Sequence, residues 1–303
     1  MPPVPPLAPN RAALTRVEWQ ARAAAHEQRV DGWIGDHLAR RRRGEKHPVL
    51  DFLFTYYSYR PAQLRRWHPG HGVVLSGATD FGPDYVAVGD GVTLDAAAVL
   101  RRRSPSVTSI AHLLAGTAQR PAQLGCFGLH EWAMVYRQTP DQLRHNAFAL
   151  RLGLAGTAAV VDELQLRCTH FDAYRFFTPE ARPLNATKPT RDSQPAMEQP
   201  GCLHANMDLY RAAYKLSPLV GSDLVADCFE LAREIRTLDM RASPYDLAGL
   251  GYAPVRVEAP EGRAEYVRGQ RDFAERAGVL RSRLVSAIQD LEGSRPGEVT
   301  AAR

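Results

Sequence analysis

The sequence predicts a mainly α fold: a single helical domain with a small β-hairpin near residues 72–94. Three observations carry this reading. Apolar residues recur at three- and four-residue steps through residues 14–43 and 222–241, the period of an amphipathic helix. Residues 85–94 instead alternate β-branched and small side chains around Gly89-Asp90-Gly91, which is the signal of a tight hairpin. No second linker divides the interior of the 303-residue chain, and 45% hydrophobic content is ample for one core. The expected organisation is a disordered proline-rich tail at 1–12, one helical domain at 13–292 and a disordered tail at 293–303.

Each element has a local reason. The helix at 14–43 has Thr15 and Glu18 as a capping box, Gly44 as its stop, and one stripe formed by Trp19, Ala23, His26, Val30, Trp33, Ile34 and His37. Residues 48–68 are unusually aromatic and end in Arg65, Arg66 and His68. Such a segment reads two ways, as a helix burying Phe52, Phe54, Tyr56 and Tyr57, or as a surface that stacks bases and meets phosphates. The hairpin follows, and after it helices are expected at 95–103, 106–118, 128–138, 157–163, 203–216, 222–241 and 261–291. In the 222–241 segment, Leu224, Val225, Cys228, Leu231, Ala232, Ile235 and Leu238 form the stripe and Ser222 the expected cap. Residues 178–201, rich in Pro, Thr, Asn and Gln, read as a long loop between His170 and His204, the position of a lid or clamp.

Charge and composition bound the partners. The formal net charge is +5 with a pI near 9.1, which admits an anionic partner. Arg40–Arg43, Arg65, Arg66 and Arg101–Arg103 are the clusters able to meet DNA phosphates; a solvated helix end has the same composition. No run of 18 apolar residues occurs, so no membrane partner is expected. Four cysteines and no export signal suggest reduced thiols and a cytoplasmic location.

Most of the candidate chemistry sits in three segments. Cys126 is followed by His130 and Glu131, Cys168 by His170 and Asp172, and Cys202 by His204 and Asp208. His204 and Asp208 are four apart in a helical stretch and share a face. If the segments converge, His130, His170 and His204 supply the imidazoles of one divalent transition metal, with Asp172, Asp208 or Glu131 completing the shell. No C-x-x-C or H-x-x-x-H pair occurs among them, so a metal-free cluster of buried histidines and cysteines is the competing reading.

At Gly44-Glu-Lys-His-Pro48, Asp51–Tyr57, Gly125–Tyr136, His170–Phe177 and Gln199–Asp208 the chain resembles a bacterial protein family named 3-methyladenine DNA glycosylase, over nearly all of residues 18–291. The resemblance implies hydrolysis of an N-glycosidic bond in DNA repair: base extrusion, aromatic stacking and stabilisation of positive charge on the sugar. It brings no catalytic residues with it. The glycine-rich hairpin, the terminal Cys/His set and the helical repeat of better understood alkylbase glycosylases are all missing. For that activity the residues offer Asp172, His170, Asp208 and Glu131 as catalytic groups, and Trp132, Tyr136, Tyr174, Phe177, Tyr210 and Asn206 as the substrate pocket. The alternative is a metal-dependent helical enzyme, an oxidoreductase or hydrolase acting on a small molecule through the His/carboxylate site. A non-catalytic nucleic-acid-binding protein using the arginine clusters is the third class.

Overall fold

Thr15 starts the first long helix. Its hydroxyl accepts the Glu18 N–H, and the Glu18 carboxylate accepts the Thr15 N–H at 2.8 Å, so two orphan donors are satisfied reciprocally. The computed structural model describes residues 12–143 and 147–293. The tails expected at 1–12 and 293–303 lie outside them, except that Ala12 opens a strand and Gly293 closes the last helix. The helices are α1 (Arg16–Arg42), α2 (Phe52–Tyr56), α3 (Pro61–Arg65), α4 (Ala96–Ala118), α5 (Leu129–Ala133), α6 (Gly153–Glu163), α7 (Phe171–Tyr174), α8 (Gln194–Met197), α9 (Leu203–Leu216), α10 (Ser222–Arg241) and α11 (Pro260–Gly293). None among the described residues is long and apolar enough to cross a membrane.

The hairpin is part of a four-stranded sheet of β1 (Ala12–Leu14), β2 (Val73–Ser76), β3 (Tyr85–Val88) and β4 (Gly91–Leu94). Its order is β1-β2-β4-β3, parallel at β1/β2 and antiparallel elsewhere. Leu14, Trp67, Leu75 and Val92 form a small core beneath it. β1 has no sequence signal of its own, because three residues are too few to show alternation.

The main core lies among the helices, chiefly where α9 packs on α10 and both on α11. In α9, Leu203, Met207, Tyr210 and Ala213 are buried along one stripe. Burying each of the large members stabilises the fold by about 1.5–3 kcal/mol before entropy is counted. The adjacent face carries His204 and Asp208.

Four boundaries differ from expectation, one of them the start of α6, which lies at Gly153 rather than at 157. The helices expected at 95–103 and 106–118 are one helix with Pro105 inside it, because Val99, Leu100, Val107 and Leu114 continue a buried stripe across the proline. Tertiary burial outweighs the lost backbone bond. The 128–138 helix shrinks to five residues. Ser222 lies inside α10 rather than capping it; its hydroxyl accepts the His68 N–H at 2.8 Å and ties the helix to the segment after α3.

Candidate metal centre

A backbone turn sets the first histidine. Phe127 and Gly128 both adopt left-handed conformations, φ +47° and +69°, and a side chain at Gly128 would press on the Tyr266 ring at 3.2 Å. The strained turn at a non-glycine costs about 1–3 kcal/mol and aims α5 so that His130 and Glu131 point inward. Neither residue is more than 7% exposed.

The three histidine rings expected to serve one metal lie side by side but are divided between two donor sets, with His170 apart from His130 and His204. The rings of His130 and His204 lie 4.4 Å apart between centroids, and those of His204 and His170 lie 5.2 Å apart, so His204 stands between the other two. Two sets of donors result. His130, His204 and Asp239 each offer an atom within 4.8 Å of the others, and His170, Glu198 and Asp208 do the same beside them. α5, α9 and α10 supply the first set; the residue before α7, the residue after α8, and α9 supply the second.

The first set has the character of a ligand set. His130 Nε2 is 2.8 Å from Asp239 Oδ1, yet neither atom has a hydrogen-bond partner of acceptable direction. The two atoms are close enough to form a charge-coupled pair and, with His204, to meet at one ion. The other oxygen of Asp239 accepts from Arg236 at 2.9 Å, and Arg236 also donates to Glu131 at 2.8 Å. Burial pushes His130 down, but the Asp239 charge outweighs it and raises the group overall. His204 differs: burial and then the His130 charge drive it well below the ordinary histidine value, so it is a neutral imidazole with a free lone pair. Asp239 is held well below the usual carboxylate range despite burial, by His130 and Arg236.

In the second set, His170 is the cation. Burial opposes its charge, but Asp208 and Glu198, at 3.4 and 3.3 Å from Nε2, raise it to about 10. Asp208, though desolvated, is held at about 2 by His170 and by Arg211. Tyr57 donates to it at 2.8 Å. Both Nδ1 and Nε2 of His170 lack a well-directed partner.

The remaining expected residues are placed elsewhere. Asp172 is an anchor for arginines: Arg211 at 2.9 Å, Arg175 at 3.1 Å and Arg191 at 3.6 Å neutralise it. Glu131 accepts from Arg236 at 2.8 Å, and its charge adds to that of Asp239 in raising His130. Trp132, Tyr136, Phe177 and Tyr210 belong to the helical core, each at most 2% exposed, and Trp132 donates to the Ala242 carbonyl at 2.9 Å. Tyr174 packs on that core with its ring 5.2 Å from Phe177. Asn206 is fully engaged, donating to the Pro200 carbonyl at 2.8 Å and accepting from Arg281 at 2.7 Å. The rings expected to stack an extruded base are thus packed against the core, Trp132 on α5 and Tyr210 on the buried stripe of α9.

Of the nine arginines in the clusters expected to face DNA, four hold carboxylates. Arg40 pairs with Asp51, Arg43 with Glu45, Arg65 with Glu27 and Asp31, and Arg102 with Asp84. Two ligand-type residues were not anticipated. Asp239 had a readable signal, since it lies four after Ile235 and interrupts the apolar stripe of α10 with a carboxylate. Glu198 lies in the irregular loop and had none.

Cys126, Cys168 and Cys202 line one cavity with His130, His204, Phe177 and Gln199. Its volume is about 20 Å³, enough for one water. All four cysteines are free thiols. Burial raises Cys126, lifts Cys168 to about 12 and Cys202 well above the ordinary thiol. At neutral pH the Cys168 thiolate is therefore about a thousandfold scarcer than in a free thiol. Iodoacetamide is expected to leave the native thiols unmodified over hours and to label all four after denaturation, as read by intact mass; rapid native labelling of Cys168 or Cys202 would contradict the scarcity of their thiolates.

Compared with protein-family models, curated proteins and solved structures, the chain matches none.

Proposed function

We propose that the chain is a metal-dependent hydrolase acting on a small molecule, with His130, His204 and Asp239 as the ligands of one divalent transition metal. The observation that supports this best is the close but misdirected approach of His130 Nε2 to Asp239 Oδ1, with neutral His204 beside them. Two imidazoles and one carboxylate leave coordination positions open, as catalytic zinc and non-haem iron sites do. The metal would polarise a substrate carbonyl or phosphoryl oxygen and acidify water.

The chain's own groups do the rest. Arg236 fixes the Asp239 carboxylate and is itself fixed by Glu131, an outer shell of the kind that orients ligands. His170, protonated between Glu198 and Asp208, is placed to hand a proton to a leaving group and take one back.

The N-glycosylase activity implied by the sequence resemblance asks for more than an opening of the cavity. A cavity wall can move, but the stacking rings are in the core and Asp172 is neutralised by three arginines. Elemental analysis of protein purified without a histidine tag is expected to find about one equivalent of zinc, iron or manganese, and chelation to lower both metal content and Tm. Release of 3-methyladenine from alkylated DNA by metal-stripped protein would overturn the metal reading in favour of the glycosylase.

A further inference from the structure

A second concavity, sharing no lining residue with the first, opens between the α2–α3 connection, the start of β3, the first half of α4 and the C-terminal end of α9. Its volume is about 490 Å³, within the range of ligand pockets. Arg66, Arg103, Lys215, Tyr59, Tyr85 and Tyr214 supply its chemistry.

The cations there are not spent on carboxylates. Among the described residues Arg29, Arg40, Arg43, Arg65, Arg151 and Arg276 each hold an acidic partner, whereas Arg66, Arg103 and Lys215 hold none. The carboxylate lining the cleft, Asp84, is taken by Arg102. Both guanidinium groups are nonetheless fixed in place. Arg66 Nη2 donates to the Phe81 carbonyl at 2.7 Å, and Arg103 Nη1 to the Ser217 carbonyl at 2.6 Å. Each donates through one nitrogen of a group that carries five N–H donors, so other donors of each fork remain for an oxyanion. Gly82 makes room for Arg66: at its φ of +115° a Cβ would lie 2.4 Å from that guanidinium nitrogen.

The rings complete the arrangement. Tyr59 stacks on Tyr214 at 4.8 Å and 12°, and Tyr85 on His68 at 6.0 Å and 12°. Tyr59 and Tyr85 are only half-buried and contribute ring surface to the cleft. Pre-positioned guanidinium forks, an exposed ammonium and half-open aromatic rings complement a planar base bearing phosphate.

We propose that this cleft binds a nucleoside phosphate. The aromatic and basic character of residues 48–68 thereby has a use, at the end of that segment. Calorimetric titration of the full chain with ADP, AMP, inorganic phosphate and adenosine tests it. ADP is expected to bind more tightly than AMP, both more tightly than phosphate or adenosine, and more weakly as salt rises. Lys215→Glu, at an exposed position, and Arg66→Gln are each expected to weaken ADP by about tenfold or more. Tyr59→Leu is expected to weaken ADP while leaving phosphate unchanged, and unaltered melting curves show that the variants remain folded. Absence of ADP binding at millimolar concentration, or ADP binding indifferent to both Lys215→Glu and Arg66→Gln, overturns the proposal. Binding of single-stranded DNA without binding of ADP or AMP also overturns it.

Discussion

His204→Ala is expected to strip the metal from the protein and leave it folded. His204 stands between His130 and His170, and among the described residues it forms no hydrogen bond or ion pair whose loss would unsettle the core. Its imidazole is neutral, so its removal abandons no buried charge. The cost is a small cavity and two ring contacts, about 1–2 kcal/mol. Metal content is expected to fall from about one equivalent to below about a tenth, and turnover by roughly a hundredfold or more, since loss even of outer-shell partners costs up to that much. Plasma mass spectrometry and a melting curve on the same sample check this. Full metal occupancy in the variant would remove His204 from the ligand set.

Arg236→Met is expected to produce the largest loss of stability of any single change near the site. Arg236 is 3% exposed, donates to Glu131 and Asp239 at 2.8 and 2.9 Å, and lies 3.9 Å from the Phe52 ring centroid. Methionine fills much of its volume but leaves the buried Glu131 carboxylate unpaired and Asp239 without its arginine. Breaking such a pair costs about 3–5 kcal/mol, which in a chain of this size lowers Tm by roughly 5–8 °C. Adding Glu131→Gln to that variant is expected to recover part of the loss, because it removes one of the stranded charges. A Tm within about 2 °C of wild type would show that the Arg236 network contributes no net stability.

The sequence announces what repeats with a helical or strand period and what concentrates chemistry locally. Thr15 and Glu18 place the start of α1, the stripe from Leu224 to Leu238 places α10, and Gly89-Asp90-Gly91 places the hairpin. The nearness of His130, His170 and His204 was legible because each follows a cysteine in a segment of its own, and the fold draws those segments to one cavity. Their partners were less legible. His204 and Asp208 share one helical face, yet they serve different donor sets, because His130 with Asp239 approaches one end of that face and His170 with Glu198 the other. Asp172 looked like a catalytic acid since it sits two residues from His170; the helical turn of α7 sends it toward Arg175 and Arg211 instead. Aromatic composition cannot separate a base pocket from a core; here Trp132 and Tyr210 are buried on α5 and α9, whereas Phe177 also borders the cavity beside His130 and His204.

The metal assignment is tested most directly by an anomalous difference map, recorded at the absorption edge of whichever metal elemental analysis finds in untagged protein. The expected result is a single strong peak at about 2.0–2.2 Å from one nitrogen each of His130 and His204 and one oxygen of Asp239. A crystal of unstripped protein with no anomalous peak there, and with His130 donating a linear hydrogen bond to Asp239, would contradict it.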